Sequence, residues 1–274
     1  MQKHILAVLL TLILVFSKHT LAIEITDKIE ITKEQATFIA MKVWQNEGAG
    51  LDKYLIHWND GEDFASVGIG HFIWFSKGHT EKFQQVFPSV VSFMLTRQVR
   101  MPSWLNSNTP LPWKSKKELY QAKSSGNKQY LELFKLLKTT KNIQAEYLVN
   151  RLNQALPKML NTVSDPLNIK IIKQNFYRVL KNADNTNNEK GLYALLDYVN
   201  FKGEGTVISE RYQGQGWGLL QVLKNMNPTE LYALKSFAES ADAMLTLRIK
   251  NSPVERGELR WKDNWHNRVM SYMQ

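Results

Sequence analysis

The sequence predicts a mostly helical α+β protein with one small sheet. Three observations lead there. Beyond His79, one amphipathic segment follows another at helical spacing. Residues 54–75 instead carry tyrosine, tryptophan and β-branched residues around an Asn-Asp-Gly turn, the pattern of short strands. A helix with a clear start signal precedes them, so helices and strands segregate rather than alternate.

In chain order, the first 22 residues stand apart. Lys3 and His4 precede a run of 12 residues, Ile5 to Phe16, apolar except for Thr11, and the segment ends on the small residue Ala22. This is the anatomy of a secretory signal peptide cleaved after Ala22. The run is short for a membrane span, which takes ~20 residues. Residues 23–274 are then expected to form a single domain in the periplasm or outside the cell.

Thr32-Lys-Glu-Gln35 is a capping box. Ala36, Ile39, Ala40, Val43 and Trp44 follow at helical spacing, and Gly48 and Gly50 are expected to stop the helix. The strand region 54–75 comes next. Amphipathic helices are read within 81–98, 127–140, 142–156, 168–183 and 189–201, with a polar break at 182–189 and a Pro-rich, Trp-bearing loop at 101–113. Three more are read within 216–226, 228–252 and 255–273. The lysine-rich stretch 112–128 reads as a solvated face.

Composition narrows the function. Apolar residues make up 43% of 274, enough for a sizeable core. Cysteine is absent, which excludes disulfides, thiol chemistry and a cysteine-linked lipid anchor. Without Lys3 and Lys18, 33 basic residues face 25 acidic ones, a net charge of +8. A basic exported chain suits an acidic partner, a cell-wall polymer or a membrane surface, rather than nucleic acid.

Glu47 sits at the C-terminal end of the first helix. The dipole there disfavours negative charge, as suits a proton donor, and two glycines after it leave room for a ligand. Asp60, Glu62 and Asp63 come next across a hairpin. Paired carboxylates flanking a cleft are what glycosidic cleavage needs, although Asp60 can equally serve only to build the turn. In Ser66-Val-Gly-Ile-Gly-His71, the serine is suited to holding water and the histidine to bonding a carboxylate. The spacings of 14 and 8 among His57, His71 and His79 fit no usual zinc pattern. No metal or cofactor is expected.

Glu47-Gly48, an aromatic-rich hairpin, Asp60, Ser66 and Gly68-Ile-Gly-His71 together resemble the catalytic hairpin of phage-type lysozymes, glycoside hydrolase family 24. That family runs Glu-Gly, Tyr, Asp, Thr, then Gly-x-Gly-His. Counted back from His71, its Asp falls on Asp60 and its Thr on Ser66. Counted forward from Glu47, the hairpin here is longer, which leaves Glu62 and Asp63 as alternatives. Residues 194–206, 218–231 and 249–261 resemble the family's central helix, the helix after it and a Pro-to-Arg stretch near the end. On this resemblance Arg256 pairs with the catalytic glutamate. The likeness covers 31–78 and 190–268, with 79–189 as a helical insertion. It implies a lysozyme-like fold and a monomeric hydrolase of the peptidoglycan glycan strand, in which Glu47 is the acid and Asp60 and Ser66 position water.

A weaker resemblance points to lytic transglycosylases, where Glu-Ser is followed by Gly-Leu-Met-Gln. Glu204 precedes Gly218-Leu-Leu-Gln221 at about that spacing, though without the serine. Tyr212, Gln215 and Gln221 would then contact sugar. Trp104 and Trp113 are read as the lip of a cleft. The reading from another class is a non-catalytic cell-wall-binding protein that keeps the groove alone.

Overall fold

A computed structural model describes residues 28–79 and 85–274. The expected signal peptide lies outside these residues. Those described form an α+β structure, mostly α. No helix among them is long and apolar enough to cross a membrane.

Helix α1 (Lys33–Gly48) starts at the expected capping box. Thr32 Oγ1 accepts from the Gln35 N–H at 3.2 Å, and Gln35 Oε1 accepts from the Thr32 N–H at 3.1 Å. It ends where Ala49, not a glycine, turns left-handed (φ 50°) and returns its N–H to the Trp44 carbonyl. Glu47 therefore occupies the last turn, as the sequence implied.

Strands β1 (Ile56–His57), β2 (Ala65–Val67) and β3 (Phe72–Trp74) form an antiparallel sheet in that order. His57 pairs with Ser66, and Ser66 with Ile73. Directly paired residues share a face, so His57, Ser66 and Ile73 lie on one side. The other side holds Ile56, Ala65, Val67, Phe72 and Trp74, all buried in the core. The alternation thus gives the hairpin one apolar back and one polar front.

Nine further helices follow among the described residues: α2 (Phe87–Thr96), α3 (Lys116–Ser124), α4 (Lys128–Thr139), α5 (Lys141–Leu160), α6 (Pro166–Leu180), α7 (Glu189–Lys202), α8 (Leu219–Asn225), α9 (Ala233–Asn251) and α10 (Lys262–Met270). Helix α3 lies where only a solvated face was read. Its start was legible, since Ser115 Oγ accepts from the Glu118 N–H as an N-cap. The segment read as one helix within 255–273 is interrupted instead. Gly257 turns left-handed between two 3₁₀ turns before α10 begins.

One apolar core joins these elements. Helix α5, inside the segment read as an insertion, packs against α1, α2, α6 and α7. Trp113 is buried against Tyr130 rather than lining a lip. Trp104 stacks over Trp74 and donates to Glu132 Oε2 at 2.9 Å. Both tryptophans of that Pro-rich loop thus serve packing, the commoner use of the residue.

Fully buried Gln144 of α5 fixes the front of the hairpin. Its Oε1 accepts from the Ile69 N–H at 2.8 Å, and its Nε2 donates to the Leu137 carbonyl at 2.8 Å and to Thr140 Oγ1 at 3.1 Å. Gly68 makes room for it: a Cβ there would stand 2.4 Å from Gln144 Oε1. Gln144→Ala strands a buried N–H and a buried carbonyl. Urea unfolding is expected to show a loss of about 2–4 kcal/mol. A loss below ~0.5 kcal/mol would mean the loop is held by something else.

Candidate active site

The front of the sheet and the end of α1 meet at Glu47. Its side chain is 16% exposed. One oxygen, Oε1, accepts from Arg268 Nη2 at 2.6 Å. The other, Oε2, lies 3.8 Å from His71 Nδ1, beyond hydrogen-bond reach. Oε2 has no hydrogen bond among the described residues.

Arg268 is the arginine of the site, and Arg256 is not. Arg256 Nε instead lies 3.3 Å from Glu258 Oε1. The 3₁₀ turn at Val254–Arg256 directs it to that carboxylate, while α10 carries Arg268 to Glu47. Arg268 also donates from Nε to Asp197 Oδ2 at 2.9 Å and from Nη2 to Asp197 Oδ1 at 2.7 Å. Asp197 is fully buried within α7 and accepts a further bond from the Tyr272 hydroxyl at 2.6 Å. Burial works against the charge on Arg268, but the Asp197 and Glu47 carboxylates outweigh it and hold the guanidinium well above its ordinary range. Two carboxylates thus share one cation, and the bidentate half belongs to Asp197.

His71 follows the Gly68–Gly70 turn with a left-handed backbone, φ 45°. Its ring stacks on His57 with centroids 6.1 Å apart, and the Tyr120 hydroxyl lies 3.3 Å from His57 Nδ1. Burial pushes both imidazoles below the ordinary histidine range, while Glu47 pulls His71 the other way. Ser66 sits beside His57 in the pairing register, buried on the front face. Glu47 and His71 therefore lie side by side, His57 stacks on His71, and Ser66 stands opposite His57 across the sheet.

Asp60 lies at the edge of that group, within electrostatic reach of His57 but bonded elsewhere. Its side chain is 96% exposed at the turn and bonds Lys116 Nζ at 2.6 Å. Lys116 holds this carboxyl below the ordinary carboxylate range. The longer hairpin carries Asp60 outward, where a lysine of α3 meets it. Glu62 is half-buried in the same turn, accepts from Asn59 Nδ2 at 2.9 Å, and is raised by burial. Asp63 is exposed.

The second set of residues has structural work. Glu204 is flanked by Lys158 at 3.3 Å and Arg151 at 3.9 Å. Gln221 Oε1 accepts from the Gly218 N–H at 2.9 Å, and its Nε2 donates to the Gly205 carbonyl at 3.0 Å. The Gly203 and Glu204 carbonyls accept from the Leu219 and Leu220 N–H groups, so this loop caps α8. Gln215 Nε2 donates to the Gly216 carbonyl. Tyr212 packs at a tilt against Trp217 and donates to Glu258 Oε1 at 3.1 Å. Burial opposes the charge of Glu258, yet Arg248, Tyr212 and Arg256 hold it below the ordinary carboxylate range.

Lys202, at the end of α7, bridges the two sets. Its Nζ lies 3.5 Å from the Trp265 ring centre and 3.9 Å from that of Phe201. Burial first, then the charges of Arg248 and Arg268, push it well below its ordinary value. The ring faces work the other way, since both attract the cation. Beside it opens a cavity of about 360 Å³ lined by Asn46, Phe201, Trp261, Asn264, Trp265 and Arg268. Among the described residues, no group of three or more histidines and carboxylates is arranged to hold a metal ion.

Sequence reading did not single out Asp197, Arg268 or Lys202, and weighed His57 only as a metal ligand. Two of these had a signal. Asp197 is an acid within the apolar run Leu192–Val199, and an acid buried in a helix needs a cation. Arg268 lies three residues after Trp265 and four before Tyr272, on the buried stripe of its helix.

No protein-family model, curated protein or solved structure matches this chain.

The geometry leads to two expected outcomes. Asp197→Asn leaves Arg268 undercompensated in the interior, and a loss of about 3–5 kcal/mol is expected in urea unfolding. Histidines lowered in the folded state bind protons less tightly than in the unfolded chain. Their contribution is therefore full above the ordinary value of 6.5 and is lost as pH falls toward their folded values. Stability measured from about pH 7.5 down to about pH 5 should decline, and His71→Gln should make that decline shallower.

Proposed function

We propose that this protein is an exported enzyme that cleaves the glycan strand of peptidoglycan or a related amino-sugar polymer, with Glu47 as general acid. The observation that carries this reading is the asymmetry of Glu47. One oxygen is tied to Arg268, and the other is open beside a polar sheet face. A carboxyl that delivers a proton needs one fixed oxygen for aim and one free oxygen for transfer.

In the proposed reaction, Glu47 Oε2–H gives its proton to the bridging glycosidic oxygen. The bond from that oxygen to the anomeric carbon breaks, and the electron pair stays on the leaving oxygen. An oxocarbenium-like centre develops and must be captured by a nucleophile. Part-exposed Trp261, in the cavity that Arg268 also lines, offers a ring face for a saccharide. The basic surface suits an anionic wall polymer.

The placement of Asp60 bears on the nucleophile. A carboxylate held in solvent by Lys116 is poorly set to activate water within the Glu47 cluster. This favours the lytic transglycosylase route, in which the sugar's own hydroxyl attacks and its proton passes to Glu47. Under the hydrolytic alternative, Asp60 and Ser66 would position water.

Turbidity loss of purified cell walls tests the acid. Glu47→Gln is expected to slow lysis by about 10²–10⁴-fold. Mass spectrometry of the released muropeptides separates the routes, because anhydro and reducing-end products differ by one water. Asp60→Asn is expected to keep most activity and yield anhydro products. Reducing-end products lost with Asp60→Asn would favour hydrolysis. Wall binding without lysis in the wild type would favour a non-catalytic wall-binding protein.

A further inference from the structure

A larger cavity lies elsewhere. About 940 Å³ opens between α6, the turn after it and the end of α8, and none of the residues clustered around Glu47 lines it. Five cations surround it: Lys170, Lys173, Arg178, Lys181 and Lys224. No aspartate or glutamate lines it.

The manner in which two of these cations are held is informative. Arg178 Nη1 donates to Asn175 Oδ1 at 2.9 Å, and Nη2 donates to the Glu230 carbonyl at 2.8 Å. Lys181 Nζ donates to Asn187 Oδ1 at 2.9 Å. All these partners are neutral. They fix the side chains without cancelling their charge, and a guanidinium with five N–H groups keeps donors to spare. None of the five cations forms an ion pair among the described residues, in contrast to the charges around Glu204, Glu258 and Asp197. An arrangement that orients positive charge and leaves it uncompensated suits an anion.

The lining is also apolar. Ile171, Tyr177, Met226 and Pro228 contribute to it. Two exposed leucines neighbour its residues along the chain: Leu167, one turn before Lys170 and Ile171, and Leu231, 91% exposed and next to Glu230, whose carbonyl holds Arg178. A soluble anion or polymer would gain little from these. An anionic lipid uses both features, with its phosphate among the cations and its apolar portion against the lining and the neighbouring leucines.

We propose that this groove is a docking site for an anionic phospholipid headgroup at a membrane surface. It does not depend on the chemistry assigned to Glu47.

Sedimentation with vesicles tests this. The full chain is expected to bind vesicles of phosphatidylglycerol and phosphatidylcholine, to bind vesicles of phosphatidylcholine alone far less, and to be released by salt. Lys170→Gln/Lys173→Gln/Lys224→Gln should weaken binding by about 30-fold or more. A control with the same loss of charge elsewhere, Lys33→Gln/Lys42→Gln/Lys117→Gln, should stay within about threefold of wild type. Leu231→Ser should also weaken vesicle binding. Equal binding by wild type and the groove variant would overturn the proposal, and so would equal losses in groove and control variants. Binding of soluble polyphosphate at the groove with no vesicle binding would assign it to an acidic polymer and overturn it too. Thermal melts of each variant establish that a loss reflects the surface and not unfolding.

Discussion

A single guanidinium holds three parts of this protein together. Arg268 rises from α10 into a space between α1 and α7, where little water reaches it. A charge in that position survives only if opposite charges meet it, and Asp197 and Glu47 do so. Asp197 takes the paired, planar contact and anchors to Tyr272. Glu47 is left with one N–H, enough to aim its carboxyl but not to occupy both oxygens. The stability of the core and the open oxygen at the cleft thus have the same origin.

The surrounding charges repeat this economy. Glu258 is held by Arg248 and Arg256 and by the hydroxyl of Tyr212, and Arg248 lies over the rings of Trp217 and Trp265. Lys202 is set between Phe201 and Trp265, and Arg268 also covers Phe201. Acids, bases and ring faces alternate along this wall. Its side chains are therefore held in place by one another, which lowers the ordering cost of meeting a ligand.

Much of the frame was legible in the sequence. The capping box at Thr32, the position of Glu47 and the hairpin at 54–75 rest on local signals, and local signals survive folding. The polar front of the sheet comes from the two-residue period once His57 and Ser66 are paired. The partners of Glu47 were not legible in the same way. Arg256 and Arg268 are both arginines near the end of the chain, and choosing between them requires knowing that Gly257 turns left-handed and redirects the chain beyond it. The ion partner of Asp60 was hidden for a related reason: Lys116 comes from a helix that reads as a run of solvated lysines. Gln221 matched a pattern associated with sugar contact, yet its amide closes a loop. In each case the residue type was informative and its partner was decided by distant chain.

The corner where α7 hands over to α8 sets a limit of another kind. Gly205 has φ 79°, and a Cβ on it would fall 2.0 Å from Gln221 Oε1; a Cβ on Gly218 would fall 2.2 Å from the Gly205 nitrogen. At Gly218 main chain lies directly on main chain, and at Gly205 the left-handed backbone and the Gln221 amide that closes the loop exclude a side chain. Descendants of this chain could enlarge or recharge the cleft through Lys202 or Trp261, but the hinge of that wall admits hydrogen alone. Its geometry is in effect frozen, and diversification of the pocket must proceed around two immovable points.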